Sequence, residues 1–377
     1  MPLGVSRFLE PTGGKSAPRE KKKVPQTPPR ATPTRGAAAT MASPPRAQST
    51  NEVFMISPTA FESNAQATSD NHFMSTTADA TGAPASAGEP DDKYASLLTA
   101  RVVAEHAFLV RVLREEIGAV VHVFDHKREH GTPDAVFPNN WFSTDRQGRV
   151  TLYPMRHPNR RAERRDDLVK WLKDRYGLTH TKQNENERNE RLIDMTHEET
   201  NVEGPRFLEG TGALVLDRIH QVAYACVSER CDENLAEAWA SKHGYRLITF
   251  AAFDEHERPI YHTNVMMSVG TRGAVVCRPS VSQETYELIA RSLKQTGRDE
   301  VIDIDFKQMG AMCGNVLELL GRDGKKCLLM SRRARESFSD AQMAQIENAW
   351  DAVHVAAIPA LEEIGGGGVR CCVAELF

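Results

Sequence analysis

Val316-Leu-Glu-Leu-Leu-Gly-Arg-Asp-Gly-Lys-Lys-Cys-Leu-Leu-Met330 is the stretch that decides the fold. Two apolar runs, Val316 to Leu320 and Cys327 to Met330, flank Gly321-Arg-Asp-Gly324, a turn signal that reads as a β-hairpin. Helical periodicity then predicts a helix over Ser339 to Trp350, and a β-rich run follows at Val353 to Ile358. The result is a unit of hairpin, helix and further strand. A unit of that size cannot bury its own apolar face without neighbours.

The pattern recurs on working back through the chain. Helices are predicted over Asp92 to Ile117, Arg160 to Tyr176, Asp232 to His243 and Ser280 to Leu293, at repeat-sized intervals. Between them lie β-rich runs at Val120 to Phe124, Ala135 to Phe142, Val150 to Tyr153, Gly212 to Asp217 and Val222 to Val227. Four more follow at Arg246 to Phe250, Val265 to Val269, Ala274 to Cys277 and Val301 to Phe306. Thr144-Asp-Arg-Gln-Gly148 marks a second hairpin. A doubly wound sheet would alternate single strands with helices, whereas these strands arrive in pairs, so the reading is an α/β ring of five units. Gln183 to Glu203, rich in Asn, Glu and Arg, reads as a solvated loop.

Composition bounds the rest. The chain has 377 residues and a formal charge of -4. That total hides nine Lys or Arg against two acids in residues 1–50, and 38 basic against 49 acidic residues after them. An acidic folded part argues against a nucleic-acid surface. No apolar run reaches the ~18 residues of a membrane-spanning helix. Seven cysteines without regular spacing do not form a disulfide framework, so reduced thiols are expected. Nine prolines and no apolar periodicity make residues 1–50 a disordered basic extension, with one folded domain over 51–377. The extension reads as a solvated tail, with Met41 an alternative start, a mitochondrial presequence or a docking arm. The proline content opposes the helix a presequence needs, so a cytoplasmic protein is the first expectation and a mitochondrial one the alternative.

Four strings could carry chemistry. Pro133-Asp-Ala-Val-Phe-Pro-Asn-Asn-Trp141 sets Asp134, Asn139 and Asn140 beside apolar residues, so the amides are expected to face a cavity. Phe207-Leu-Glu-Gly-Thr-Gly-Ala-Leu-Val-Leu216 places Glu209 beside glycines that allow close backbone approach, so its carboxylate could meet a ligand or a histidine. Tyr261-His-Thr-Asn-Val-Met-Met-Ser-Val-Gly270 reads as a strand with His262 and Asn264 on one face. At the C-terminus, Gly365-Gly-Gly-Gly-Val-Arg-Cys-Cys-Val-Ala-Glu-Leu-Phe377 lets backbone pass close to a ligand and delivers a cysteine beside Arg370, which could lower the thiol pKa. His122, His126 and His130 recur every four residues, but Val121 and Val123 alternate as in a strand, so no helical zinc site is read there. Cys313, in Met309-Gly-Ala-Met-Cys-Gly-Asn315, is a second thiol candidate with no activating neighbour.

In this order the four strings resemble the amidinotransferase, or guanidino-group-modifying, superfamily, and most closely its citrulline-utilisation hydrolase type. Met55-Ile-Ser-Pro58 with Phe61 and Asn64, Tyr153-Pro-Met155, and Asn159-Arg-Arg-Ala-Glu-Arg-Arg165 share the resemblance. It implies the pentein fold, a five-bladed α/β propeller of pseudo-fivefold hairpin-plus-helix units. It implies Cys371 as nucleophile, His262 as general acid and base, and Glu209 as its carboxylate partner. Asn64, Asp134, Asn139, Asn140, Asn264 and Arg370 would lie on the substrate side. The expected partner is a small guanidino or ureido substrate, with no metal, no organic cofactor, no nucleic acid and no membrane, and a homo-oligomer is allowed. Hydrolysis and amidino transfer use the same residues, and a non-catalytic binding protein of this fold is the rival from another class. A hydrolase of ordinary amides, with Asn264 orienting the histidine, is a further alternative. Asn140 and Asn264 stand where guanidine hydrolases of this superfamily carry carboxylates. Each replacement would cost a guanidinium about 1 to 3 kcal/mol of charge-assisted bonding, which favours a neutral ureido group.

Overall fold

The computed structural model describes residues 30–31, 46–74, 92–179 and 191–377. Five small sheets form the body, each with an inner strand antiparallel to a middle one, and an outer strand parallel to the middle one. The second blade runs Phe142–Thr144, Val150–Leu152, Leu192–Asp194, and the third Leu214–Asp217, Val222–Cys226, Arg246–Phe250. The fourth runs Met267–Val269, Gly273–Cys277, Glu300–Ile304, and the fifth Leu317–Leu320, Lys326–Ser331, Ala352–Ala356.

The first blade closes the ring. Its middle and outer strands, Glu52–Ile56 and Val120–Phe124, are N-terminal, but its inner strand is Ala374–Glu375, paired with Phe54 and Val53. In every blade the step from middle to outer strand is made through a helix, because parallel strands need a crossover. These helices are Asp92–Arg111, Asp166–Arg175, Glu233–His243, Gln283–Gln295 and Asp340–Ala349. Asp232, Ser282 and Ser339 cap three of them by accepting from a backbone N–H in the first turn.

Apolar clusters lie between blades, which is why a lone unit would not be stable. Phe54 and Ile56 of the first blade pack with Phe142, Val150 and Leu152 of the second, over Leu168 and Leu172 of its helix. Val102, Leu109 and Leu113 join Leu319 and Leu329 of the fifth blade. Among the described residues no helix is long and apolar enough to cross a membrane.

Several expectations change. Folded structure begins before Asn51: Gln48, Ser49 and Thr50 are buried, and Arg30–Ala31 pairs with Ile248 and Thr249. The Gln48 side chain donates to the carbonyls of Leu216 and Val269, and Thr50 to that of Leu376, so polar residues seal the axis where hydropathy gives no signal. The remainder of residues 1–45 lies outside the described residues, as do 183–190 of the expected loop. Within 191–203 the chain is not loop throughout, because Leu192–Asp194 supplies the outer strand of the second blade. The helix expected over Arg160 to Tyr176 is two pieces, Pro158–Arg161 and Asp166–Arg175, and the arginines between them reach outside the helix. Arg164 donates to the Tyr153 carbonyl and Arg165 to that of Asp125. Ala135 to Trp141 is not a strand, and Gly212 and Val265 begin no strand; single helical turns precede the inner strands there.

Candidate active site

Those turns are the key to the site. Pro138–Asn140 leads into the inner strand of the second blade, Gly210–Ala213 into the third, and Thr263–Met266 into the fourth. Asn315 and Cys371 lie in the turns before the inner strands of the fifth and first blades. Each blade therefore delivers side chains from one equivalent position, and the ring brings together residues far apart in sequence.

Side chains staple each turn to the next. Thr211 Oγ1 donates to the Asn139 carbonyl at 3.1 Å, and Thr263 Oγ1 to that of Ala213 at 2.5 Å. Asn315 Nδ2 donates to the Asn264 carbonyl at 3.0 Å, and Arg370 N–H to Asn315 Oδ1 at 3.1 Å. Close packing dictates the glycines. A Cβ at Gly212 would stand 2.3 Å from Asn140 Nδ2 and 2.8 Å from His262 Nδ1, and one at Gly314 would stand 2.2 Å from the Val265 carbonyl oxygen. The C-terminal glycine run is tight for a protein reason too: Gly365 and Gly367 face the Phe137 ring, and Gly368 faces Asn315.

Glu209 and His262 meet as expected, with His262 Nε2 2.9 Å from Glu209 Oε2. Glu209 is fully buried and accepts from Arg156 N–H at 3.0 Å, with Arg230 at 3.5 Å and Arg160 at 3.8 Å. Burial works to raise the Glu209 carboxyl, but Arg230, His262 and Arg160 hold it well below the usual range. His262 is pushed down to about 4, by burial first, against the pull of Glu209. The imidazole is therefore neutral at pH 7, fixed by a carboxylate that stays charged.

The Cys371 sulfur lies 3.3 Å from Asn315 Nδ2 and 3.6 Å from Asn264 Nδ2. Asn264 follows His262 by two residues, so the turn that carries the imidazole also supplies an amide to the sulfur. Burial pushes the thiol up, and Asn315, Arg370 and Asn264 oppose it. This corrects the expectation of a thiol poised low by Arg370, whose guanidinium bonds Glu375 at 2.8 Å and the Val373 carbonyl at 3.0 Å. Cys371 and Cys372 are both free, and burial pushes Cys313 up to about 12. His262 and Asn264 do not lie on the strand expected for them, because His262 sits at the N-cap of a single helical turn that contains Asn264.

Asp134, Asn139 and Asn140 form the other wall. Asn64 Nδ2 donates to Asp134 Oδ2 at 2.7 Å, so Asn64 is committed to holding that carboxylate. Arg160 Nη1 donates to Asn140 Oδ1 at 2.9 Å and is clamped by Glu163 at 2.8 and 3.1 Å. Asp134 Oδ1, both polar atoms of Asn139, Asn140 Nδ2 and Asn264 Oδ1 are buried and have no hydrogen-bond partner among the described residues. The string Asn159 to Arg165 held Arg160 and Glu163 unassigned; a buried Arg–Glu pair three residues apart was the available signal. Arg230, bonded to Asp70 and stacked 4.7 Å over Tyr261, has no such mark in sequence. Among the described residues no group of His, Cys, Asp and Glu could hold a metal.

Comparison with known proteins bears on the fold and the family. ArgZ, an arginine dihydrolase of the ornithine-ammonia cycle in cyanobacteria, superposes with TM-score 0.60 at 15% identity, covering 86% of this chain and 40% of that one. The chain thus spans about two fifths of the length of that ArgZ chain. A variant N-terminal domain of ArgZ, covalently bound to a reaction intermediate, gives TM-score 0.59 at 14% identity, covering 86% of this chain and 97% of that one. A dimethylarginine dimethylaminohydrolase variant, in an adduct with S-methyl-L-thiocitrulline, gives 0.53 at 11%, covering 86% and 99%. Among curated proteins no sequence match is found. Residues 57–377 match the eukaryotic N,N-dimethylarginine dimethylhydrolase family, and the chain belongs to that family of hydrolases within the guanidino-group-modifying superfamily.

Proposed function

We propose that this protein hydrolyses the guanidino or ureido carbon of an arginine- or citrulline-like amino acid, with Cys371 as nucleophile, His262 as proton shuttle and Glu209 as its partner. The observation that carries the reading is the set of five bare, buried polar atoms on Asp134, Asn139, Asn140 and Asn264 beside that thiol and imidazole. Unpaired buried groups each cost about 1–3 kcal/mol, and a planar head with several N–H and lone-pair sites would satisfy them together.

In this reading Cys371 gives its proton to His262, and its sulfur attacks the electron-poor carbon while the C=N electron pair moves onto nitrogen. His262, now an imidazolium held by Glu209, protonates the departing nitrogen as the C–N bond breaks, leaving an amidino thioether. Water loses a proton to His262 and adds to that carbon. Cys371 then leaves as thiolate. The buried thiol is protonated at rest, so a cationic head arriving beside it would favour ionisation, which supports a guanidino substrate. Asp134 Oδ1, Asn139 Oδ1 and Asn264 Oδ1 are three acceptors for its N–H groups.

A ureido substrate is the second reading, favoured by the amides at Asn140 and Asn264 in place of carboxylates and by bare donors at Asn139 Nδ2 and Asn140 Nδ2. Turnover of arginine, N,N-dimethylarginine and citrulline, followed by release of ammonia, amine or ornithine, separates the two. No turnover of any guanidino or ureido compound would sink both.

A further inference from the structure

The five lead-in turns occupy equivalent places, yet the proposed chemistry uses only four of them. The second blade supplies Asn139 and Asn140, the third Glu209, the fourth His262 and Asn264, and the first Cys371. The fifth supplies Asn315, which is buried, and its amide is fully engaged. Oδ1 accepts from Arg370 N–H, while Nδ2 donates to both the Asn264 carbonyl and Cys371 Sγ. At the corresponding staples the third and fourth blades use Thr211 and Thr263, whose hydroxyls have one hydrogen each and donate it to the preceding turn. A threonine would staple the fifth blade equally well. The carboxamide adds one further hydrogen, and that hydrogen points at the sulfur.

We infer that Asn315 is the catalytic side chain of the fifth blade, a neutral donor that holds the thiolate of Cys371 in line and stabilises its charge as it forms. The inference rests on the reading of Cys371 as nucleophile. Physically it follows from what surrounds the sulfur. Burial disfavours the thiolate, and Arg370, which favours it, has its guanidinium on Glu375, so the hydrogen that Asn315 directs at the sulfur is the largest influence answering the charge. Asn264 is the weaker of the two donors, at 3.6 Å against 3.3 Å. Gly368 completes the arrangement, since a Cβ there would stand 2.7 Å from Asn315 Oδ1 and push the amide off the sulfur.

The test separates staple from donor. Asn315→Thr keeps a hydroxyl for the Asn264 carbonyl, as the neighbouring blades do, and removes the hydrogen to sulfur. Asn315→Asp keeps the acceptor for Arg370 N–H and removes both donors. Thiolate absorbance is titrated for each, with the Cys371→Ala protein as blank, so the signal belongs to one sulfur. Arg370, Arg160, Tyr261 and Cys372 also act on that sulfur, and they are the same in every variant. The expected result is a titration displaced upward by about one pH unit in Asn315→Thr and further in Asn315→Asp. Turnover at pH 7 should fall about tenfold, and Asn315→Thr should melt near the wild-type temperature. A titration of Asn315→Thr that overlays the wild type overturns the inference and leaves Asn315 a staple. Retention of turnover by Cys371→Ala would instead overturn the nucleophile reading, an outcome the titration does not depend on.

Discussion

The two walls of the hollow are equally buried and polar, but they are not equally complete. Around the Cys371 sulfur the amide donors are spoken for, with Asn315 using both ends of its amide and Asn264 its Nδ2, and only Asn264 Oδ1 stands bare. Across from it, Asp134 Oδ1, Asn139 and Asn140 Nδ2 stand bare although Arg160 and Asn64 fix the far ends of Asp134 and Asn140. The complete wall resembles a preorganised reaction centre, in which dipoles are set before charge develops. The bare wall carries a desolvation cost that the rest of the fold offsets, as expected of a surface built for a ligand.

Removing the sulfur should separate the walls most sharply. Cys371→Ala is expected to abolish turnover while changing stability by no more than about 1–2 kcal/mol. His262→Ala should lose about 10²–10⁴-fold in kcat. Glu209→Gln should damage both properties, since it leaves Arg230 and Arg160 short of a buried anion, a loss of about 3–5 kcal/mol in chemical denaturation. Normal turnover in the cysteine or histidine variant would show that the complete wall is not where chemistry happens.

The bare wall should answer in the opposite sense. Asn139→Ala removes two buried polar atoms that have no partner, so its melting temperature should hold or rise while kcat/KM falls by about tenfold to a hundredfold. A destabilised variant with unchanged kinetics would make that wall ordinary packing. Asn140→Asp is the milder probe. It keeps an acceptor for Arg160 and adds a charge toward the hollow, so the preference for arginine over citrulline should rise by about tenfold.

Sequence made the strings of both walls visible but not the local structure that carries them, for a physical reason. Hairpins and helices leave periodic traces, so the five units were legible, while the set Asn140, Glu209, His262 and Cys371 came from the resemblance of the strings that hold them. Strand pairing then forces those residues onto one end of the ring. Single helical turns leave almost no trace, because four residues are too few for a period, and so His262 and Asn264 read as strand. Asn315 sat in a string inspected only for its cysteine. Gln48 and Leu192–Asp194 lay in polar surroundings, and their burial depends on chain that arrives from elsewhere. Arg370 was placed by adjacency to Cys371, but neighbours in a turn point apart, and Glu375 claims the guanidinium.

The smallest expected effect concerns both walls together and comes from pH. Burial pushes His106, His126, His243 and His262 down to about 4, so the folded protein keeps them neutral where an unfolded chain would protonate them below its ordinary histidine pKa of about 6.5. Glu163 and Glu362 are pushed the other way, to about 7, again by burial, so the folded protein holds protons there that an unfolded chain would have released. Burial raises Glu105 as well, and between about pH 6.5 and 4.5 the four histidines still outnumber the three carboxyls, so the unfolded state binds more protons and stability must fall as the solution is acidified. Thermal midpoints measured at pH 7, 6 and 5 should descend in that order. His262 and Glu163 contribute to the two sides of this balance, one beside Glu209 and the other on Arg160. His262→Ala should therefore flatten the descent and Glu163→Gln steepen it, and a flat wild-type profile would mean that the buried histidines are reached by water.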